Sequence, residues 1–337
     1  MTKLGFQLSA VGVSVLYLAT AGGTTASATT PNVLWQATGV RTGYPNAVFS
    51  SDGTAILLTK STGFELRRAS DGVVLGKLNL PAASQAYTAA ALSPDKTMIG
   101  LNLFNSAIGT IEIWRIADGA LLRTITTDAT RTMKGLDFSA AGLIASRERF
   151  AYGGGGYLRV YRVSDGSLIT KRGPVARNSA PGGVVFSPDS HLLAVDDTFS
   201  LGGLWALRTS DWSSARSVTG AGILSWVGDS ASLWTDTFQL VRISDGAVLK
   251  SVTPDASSVV TAVTPDSRFL FAYTAVNGTA SNSIKFLRTA DGGTQLTYTL
   301  PSGTVVWSNG VNAGQTLFTY EICPNDCTVY VARMPAL

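Results

Sequence analysis

Few side chains in this sequence have the residue types and spacing that catalysis or metal binding requires. His191 is the only histidine. A Ser-His-Asp triad therefore has a single candidate for its base, and a metal site with several histidines cannot be assembled. Directly after a predicted turn, His191 is expected to face solvent at the start of a strand. Asp196 and Asp197 are adjacent, but neighbours on a strand point to opposite faces. We therefore predict no catalytic residue, no metal site and no cofactor.

The two cysteines, Cys323 and Cys327, enclose the short segment Pro-Asn-Asp. Structural zinc is four-coordinate, and two cysteines with one distant histidine do not supply the ligands. In an oxidising compartment, this spacing favours a local disulfide that closes the tip of a hairpin. We predict a structural disulfide between Cys323 and Cys327.

An arginine recurs at an almost constant interval and is usually followed by an Asp-Gly pair, as in residues 115–119, Arg-Ile-Ala-Asp-Gly. The seven members are Arg68, Arg115, Arg162, Arg208, Arg242, Arg288 and Arg333, separated by 47, 47, 46, 34, 46 and 45 residues. A worn copy has Trp212 where glycine is expected. A period of this length is typical of the four-stranded blade of a β-propeller.

A turn that ends an apolar strand precedes each arginine segment. Clear copies span 49–53, 92–95, 186–189 and 263–266, and weaker copies span 138–142, 226–229 and 307–310. Proline and aspartate in these positions favour tight turns. Each unit reads as a buried inner strand, a second apolar strand, an alternating third strand and a short outer strand. The sequence predicts an all-β fold, a seven-bladed β-propeller of four-stranded antiparallel blades.

The last unit stops at Leu337 without an outer strand, whereas residues 32–34, Asn-Val-Leu, resemble an outer strand that lacks a blade. We predict that this N-terminal strand completes the last blade and closes the ring. Closure removes the exposed sheet edges of an open array.

The recurring arginines are interpreted as architectural, because a role repeated in every blade needs no ligand. Each arginine is placed at the end of a third strand, on the same side of the blade as the aspartate of the first turn. We expect partly buried pairs such as Arg115 with Asp95 and Arg208 with Asp189.

Residues 32–337 resemble the WD-repeat and YVTN-type propellers of exported bacterial proteins. The Ser-Pro-Asp turns and the Arg-x-Ser-Asp-Gly segments carry the resemblance. No Gly-His pair opens a repeat, and Trp114-Arg115 stands where a Trp-Asp pair is usual. The resemblance implies the fold, while such propellers serve many unrelated functions.

The first residues have the pattern of a secretory leader. Lys3 precedes the mostly apolar, uncharged segment 4–20, and Ala26-Ser27-Ala28 is a small-x-small cleavage pattern. We predict a signal peptide over 1–28 and a single domain over 29–337, exported to the periplasm or the cell exterior. A retained membrane anchor is the alternative. After cleavage the domain is not expected to be membrane-embedded.

The charge pattern bears on the class of partner. The net charge is +4 and the basic residues are scattered without a run, so nucleic acid is not an expected partner. A monomer is expected.

The ligand-binding surface is predicted on the face that carries the long, irregular loops, because such loops host recognition on a rigid scaffold. The aromatic and cationic residues assigned to it are Tyr44, Tyr87, Arg131, Lys134, Arg149 and Arg177. This surface would favour an anionic ligand or an acidic patch on a protein. The alternative is that these are solvated loop residues without a ligand.

The resulting functional prediction is a non-enzymatic binding or scaffold propeller. The alternative is an enzyme acting at the channel mouth, similar to propeller lactonases or quinoproteins. Lactonase-like propellers use metal-binding carboxylates or a histidine near the channel, and quinoproteins carry Trp-rich outer strands. Neither pattern aligns here. A third possibility, a lectin, would need exposed aromatic residues in several blades.

Overall fold

A computed structural model describes residues 26–28, 30–40, 47–104, 109–127, 133–148, 156–175, 183–197, 203–276, 279–300, 310–323 and 327–337. Within these ranges the chain is all-β, with one short 3₁₀ helix at Ala82–Ala86. Among the described residues, no helix combines the length and the apolar character needed to cross a membrane.

The strands follow one another along the chain in groups of four. The N-terminal strands are β1 (Ala26–Ala28), β2 (Val33–Val40), β3 (Ala47–Phe49), β4 (Ala55–Lys60), β5 (Gly63–Arg68) and β6 (Val74–Asn79). The next two groups are β7 (Tyr87–Leu92), β8 (Met98–Phe104), β9 (Gly109–Arg115) and β10 (Leu121–Thr126), then β11 (Met133–Phe138), β12 (Leu143–Glu148), β13 (Gly156–Arg162) and β14 (Leu168–Val175).

The second half of the chain repeats this order. Two further groups are β15 (Val184–Phe186), β16 (Leu192–Asp197), β17 (Gly203–Arg208) and β18 (Ser214–Thr219), then β19 (Ile223–Trp226), β20 (Ser232–Thr235), β21 (Gln239–Arg242) and β22 (Val248–Ser251). The last strands are β23 (Ser258–Val263), β24 (Phe269–Val276), β25 (Thr279–Arg288), β26 (Thr294–Thr299), β27 (Gly310–Val311), β28 (Leu317–Ile322) and β29 (Cys327–Arg333).

Each group of four consecutive strands from β7 to β22 forms its own antiparallel sheet, and β23–β26 form another to which β1 adds in parallel at β26. The N-terminal strand β2 lies antiparallel beside β29, with Val33 opposite Ala332 and Gln36 opposite Tyr330. A single pair, Val40 with Lys60, joins this last group to the first and gives a sheet of eight strands.

Apolar side chains are buried between successive groups of strands. The seven clusters of the described residues include, in order, Leu57 with Trp114, Ile113 with Ile144, Val160 with Val195, Ala206 with Leu233, Trp234 with Leu270, Phe286 with Phe318, and Val331 with Ile56. The last of these clusters joins the final group to the first. Burial of each large side chain contributes roughly 1.5–3 kcal/mol, so the core is spread over all the junctions.

In six of the seven turns after the inner strands the first residue is a buried serine, threonine or asparagine. The fifth turn has Val227 there, and Asp229 Oδ1 accepts from Ala231 N and Ser232 N instead. Ser93 Oγ donates to Asp95 Oδ1 at 2.6 Å and accepts from Met98 N at 2.9 Å, while Asp95 Oδ1 accepts from Thr97 N at 3.1 Å. The fourth turn residue has a positive φ in all seven copies: Gly53, Lys96, Gly142, Ser190, Ser230, Ser267 and Gln315. The last copy is thus 312–315. The sequence-based placement at 307–310 is wrong at Gly310, which lies in β27.

Replacing Ser93 with alanine should destabilise the fold more than removing one of the repeated arginines. Ser93 is buried, so its loss leaves Met98 N without its acceptor and removes the bond to Asp95. We expect a decrease of about 1–3 kcal/mol in the free energy of unfolding, and only a small change for Arg115→Ala, whose ion pair is exposed. Urea denaturation of the two variants measures both. Equal losses would contradict this ranking.

All seven repeated arginines end a third strand, as predicted, but their predicted partners are wrong. Arg115 Nη2 lies 2.6 Å from Asp118 Oδ2, three residues on in its own turn, and both side chains are about half exposed. Asp95 is instead bonded to Ser93 and Thr97. The same short-range pairing occurs at Arg68, Arg162, Arg242 and Arg288.

The fourth sheet departs from this pattern. Arg208 does not pair with Asp189, because its guanidinium donates to Ser213 Oγ and Ser214 O. Trp212 adopts a φ of 59° in the position that glycine has elsewhere, and its side chain is buried. Packing in the core therefore compensates for the unfavourable backbone conformation.

Candidate functional site

Most residues predicted to bind a ligand lie outside the described part of the chain. Tyr44, Arg131, Arg149 and Arg177 fall there, and Lys134 is described only as part of the backbone of β11. Their assignment to a binding surface stays a prediction.

Tyr87 is the one predicted binding residue whose side chain is described. It begins β7, and its ring centroid lies 5.2 Å from that of Phe64 in a tilted arrangement. The ring packs against the cluster between the first two groups of strands, and its hydroxyl oxygen is buried. This placement gives Tyr87 a clear packing role, while a contact with a ligand stays a prediction.

Cys323 and Cys327 form a disulfide, with their α-carbons 4.1 Å apart. It links the end of β28 to the start of β29. The buried carboxyl of Glu321 is nearby, and these three side chains are close enough to share a metal ion. Metal binding by cysteine requires the thiolate, which the disulfide does not offer, so this cluster is structural in the oxidised protein.

His191 is strongly exposed, with 83% of its side-chain surface accessible, and its Nδ1 lies 3.2 Å from Asp189 Oδ2. The expectation of a solvent-facing histidine is confirmed. The carboxylate of Asp189 is hydrogen-bonded within its own turn. Partial burial is the largest single effect and raises the pKa of Asp189, but hydrogen bonds from Ser187, the His191 amide and the His191 ring together lower it below the ordinary value.

A cavity of about 460 Å³ lies between the inner strands, at the end where the Ser-x-Asp turns stand. We call it the turn-side cavity. Its wall includes Leu92, Leu136, Asp137, Phe186, Leu224 and Trp226. Serine residues of the turns, among them Ser51 and Ser187, also line it. The lining is therefore mostly apolar with a few polar groups, which is typical of small-molecule sites.

Asp137 is the only ionisable residue among the described residues that line the turn-side cavity. It lies in β11, and its Oδ2 accepts a hydrogen bond of 2.7 Å from the backbone N–H of Phe186 in β15. Trp226 supports the same strand from the other side, because its Nε1 donates to Val185 O at 3.0 Å. Side chains from two neighbouring sheets thus bond to the backbone of β15, and Asp137 satisfies an N–H on its free edge.

Burial raises the pKa of Asp137 to about 7, against the opposing effect of the backbone amides of Phe186 and Phe138. Desolvation disfavours the ionised carboxyl, and no cation contributes to the shift. The side chain is partly accessible, through the cavity. Near neutral pH, Asp137 therefore exchanges between a neutral acid and a carboxylate facing an apolar space. It can accept a proton or pair with a cation there.

Away from Asp137, the carboxylates of Asp236 and Asp196 both lie near Gly222. Asp236 Oδ1 accepts from Gly222 N at 2.6 Å, and a β-carbon on Gly222 would lie 2.7 Å from Asp236 Oδ2 and 3.2 Å from Asp196 Oδ2. Sequence reasoning considered Asp196 only with Asp197. The structure instead brings it to a residue of the next sheet.

The sequence carries a signal for Asp137 that the period of the repeats alone does not reveal. Aligned on the turn, the penultimate inner-strand residues of the first five groups are Val48, Ala91, Asp137, Val185 and Ser225. A carboxylate in this otherwise uncharged position is unusual, since isolated charges are costly to bury. Strand-by-strand alignment would have selected it.

Comparison with known proteins supports the fold and leaves the activity open. The chain is similar to a chain in the crystal structure of the mitotic checkpoint complex, with a TM-score of 0.68, 16% sequence identity, and 98% of both chains covered. No protein-family model matches the sequence, and no curated protein matches it. The likeness and the succession of four-stranded antiparallel sheets show that the chain folds as a WD-repeat-like β-propeller.

Proposed function

We propose that this chain is an exported, non-enzymatic binding propeller that holds a protein partner or an anionic ligand on its loop face. The observation that carries the proposal is the likeness, over 98% of the chain, to a propeller that belongs to a protein assembly. Propellers present rigid loops and often act in recognition. The likeness supports a scaffold role in general and does not identify the partner.

The proposed domain is a closed ring of seven blades. Seven inner strands, seven turns with a positive-φ residue and seven core clusters support this number in the described residues. In the proposed ring, β27, β28, β29 and β2 make the last blade, and β3–β6 make the first.

The position of Trp35 supports the closure. An added β-carbon on Gly72, in the first blade, would lie 2.7 Å from Trp35 Cδ2 in β2. Gly119 of the second blade faces Leu78 of β6 in the same way, and Gly166 of the third faces Ile125 of β10. Strand β2 therefore packs against the first blade in the way that β6 packs against the second blade and β10 against the third.

Export through cleavage after Ala28 is part of the proposal. Cleavage there would remove β1, the fifth strand at the edge of β26, and leave that blade with four strands like the others. Intact mass and N-terminal sequencing of the protein recovered from outside the cytoplasm test this step. A mature chain that starts at Thr29 is expected, and retention of the leader would favour the anchor.

The binding role is tested with the mature protein. A partner is isolated by affinity capture from the native envelope, identified, purified and titrated against the wild type and the double variant Arg131→Glu, Lys134→Glu. We expect at least about ten-fold weaker binding from charge reversal at the contact. The double variant Arg162→Glu, Arg242→Glu is the control, because both arginines are about half exposed and end third strands away from the loop face. Equal affinity of all three proteins would refute the loop-face site.

The enzyme alternative has its own test. Native mass spectrometry of the purified mature protein detects a tightly bound metal or small molecule. A bound metal ion or redox cofactor would favour a lactonase-like or quinoprotein-like activity at the channel, since these reactions depend on such a group. The proposed binding function predicts that the purified protein carries neither.

A further inference from the structure

We propose that the turn-side cavity binds an organic cation, an ammonium group on an apolar body, with Asp137 as its counter-ion. This site lies at the opposite end of the inner strands from the loop face, so it goes beyond the proposed function and does not depend on it. The shape of the cavity, the chemistry of its wall and the position of one carboxyl group support this assignment.

The cavity has the size and the lining of a ligand site. Its volume of about 460 Å³ lies within the range of roughly 300–1,000 Å³ that holds small organic molecules. Leu92, Leu136 and Leu224 give it apolar sides that would cover an alkyl or aryl body. The indole of Trp226, also in the wall, offers a π-face that attracts cations.

The carboxyl group of Asp137 is placed to select the charge of the ligand. Its Oδ2 is bonded to Phe186 N, and the residue is partly accessible where it lines the cavity. Burial raises its pKa to about 7, which shows that the ionised form is poorly solvated. A cation in the cavity would stabilise that form, whereas an anion would be repelled.

In the described part of the chain, no charged side chain on the strands packed against β11 acts as the counter-ion of Asp137. Strands β8 and β15 carry no ionisable residue, and β7 carries only Tyr87 at its far end. On β12, Arg147 lies opposite Gly135 with its side chain buried, and Ala145 lies opposite Asp137. The remaining charged residues on these strands are Lys134 of β11 and Glu148 of β12. No cation is among the causes of the raised pKa of Asp137.

The hydrogen bond to Phe186 alone would not require an ionisable side chain. An asparagine oxygen in the same place can accept from Phe186 N. Asp137→Asn therefore separates the two roles of the residue, because it keeps an acceptor for β15 and removes the negative charge from the cavity.

The test is a titration of the full-length folded protein with benzylamine and, as a neutral match, benzyl alcohol, followed by ligand-observed NMR. At about pH 8.5, where Asp137 is ionised and the amine is charged, benzylamine is expected to bind at least about ten-fold more tightly than benzyl alcohol. Between about pH 8 and pH 6 its affinity should fall about ten-fold, following the ionised fraction of Asp137.

Two variants and one peptide complete the design. Asp137→Asn should lose the preference for the amine, while Asp291→Asn, a change in an exposed turn, should keep it. The acetylated peptide Ala-Ala-Lys-Ala-Ala distinguishes a lysine side chain from a free amine as the natural source of the cation, according to which probe binds more tightly. Equal binding of benzylamine and benzyl alcohol, no binding of either, or an unchanged preference in Asp137→Asn would overturn the proposal.

Discussion

Replacing Trp35, which is half-buried, with alanine is expected to lower the free energy of unfolding by about 2–4 kcal/mol. Trp35 lies in β2, packs against Gly72 and donates from Nε1 to Ala69 O at 2.9 Å. Its ring therefore connects the N-terminal strand to the turn between β5 and β6. Because β2 is also paired with β29, loss of this contact weakens the junction between the two ends of the chain.

Chemical denaturation measures the loss, and two further variants define its cause. Trp35→Phe keeps an aromatic ring and removes the hydrogen bond, so about 1 kcal/mol should be lost. Trp205→Ala removes a half-buried tryptophan from β17, away from the junction. Hydrogen exchange at residues 327–333 should accelerate in Trp35→Ala and stay unchanged in Trp205→Ala. Unchanged exchange in both variants would show that β2 and β29 remain paired without Trp35.

Asp137→Asn is expected to stabilise the protein at pH 8 by roughly 2–4 kcal/mol, given about 1.4 kcal/mol for each unit of pKa shift. The folded protein holds this proton up to about pH 7, whereas the unfolded chain releases it near the ordinary value of about 4. Between these two values the folded state binds more protons than the unfolded state, so stability falls as the pH rises. Asparagine has no such proton and removes this slope.

Urea unfolding at pH 5 and pH 8 gives the comparison. With pKa values of about 4 unfolded and about 7 folded, the difference between the two proteins should be about 2–3 kcal/mol larger at pH 8 than at pH 5. Asp118→Asn is the control, because hydrogen bonding to Arg115 and to the Ala120 amide lowers the pKa of Asp118 to about 2. Such carboxylates contribute stability above pH 4 and lose it in acid. A parallel decline of wild type and Asp137→Asn between pH 5 and pH 8 would contradict the assignment.

The periodic features of the fold could be predicted from the sequence because they recur. Alignment of seven copies placed each arginine at the end of a third strand, where the structure has it. The partner of Arg115 could not be derived in this way, since Asp95 and Asp118 both lie on the same side of the blade. Arg115 pairs with Asp118, the nearer residue in the chain, because a partner three residues away needs little additional ordering of the backbone.

The features that occur once were harder to predict. Asp137 breaks the apolar pattern of the inner strands, and its importance depends on two neighbours, Phe186 and Trp226, that come from other sheets. An alignment of repeats selects what the copies share, so a residue that occurs in one copy is not selected. The last turn, at 312–315, was misplaced for a similar reason, because Asn312 replaces the usual serine and its side chain bonds Thr316 N and Leu317 N in the same role.

The pairing of β2 with β29 has a consequence for how the molecule is made. A ribosome releases β2 first and β29 among the last strands, so the N-terminal segment must stay unpaired during nearly the whole of translation. Contacts between such distant segments slow folding, and an unsatisfied strand is prone to join the wrong neighbour. Polypeptides interrupted before residue 327 would keep that strand without its partner and would expose it to quality control.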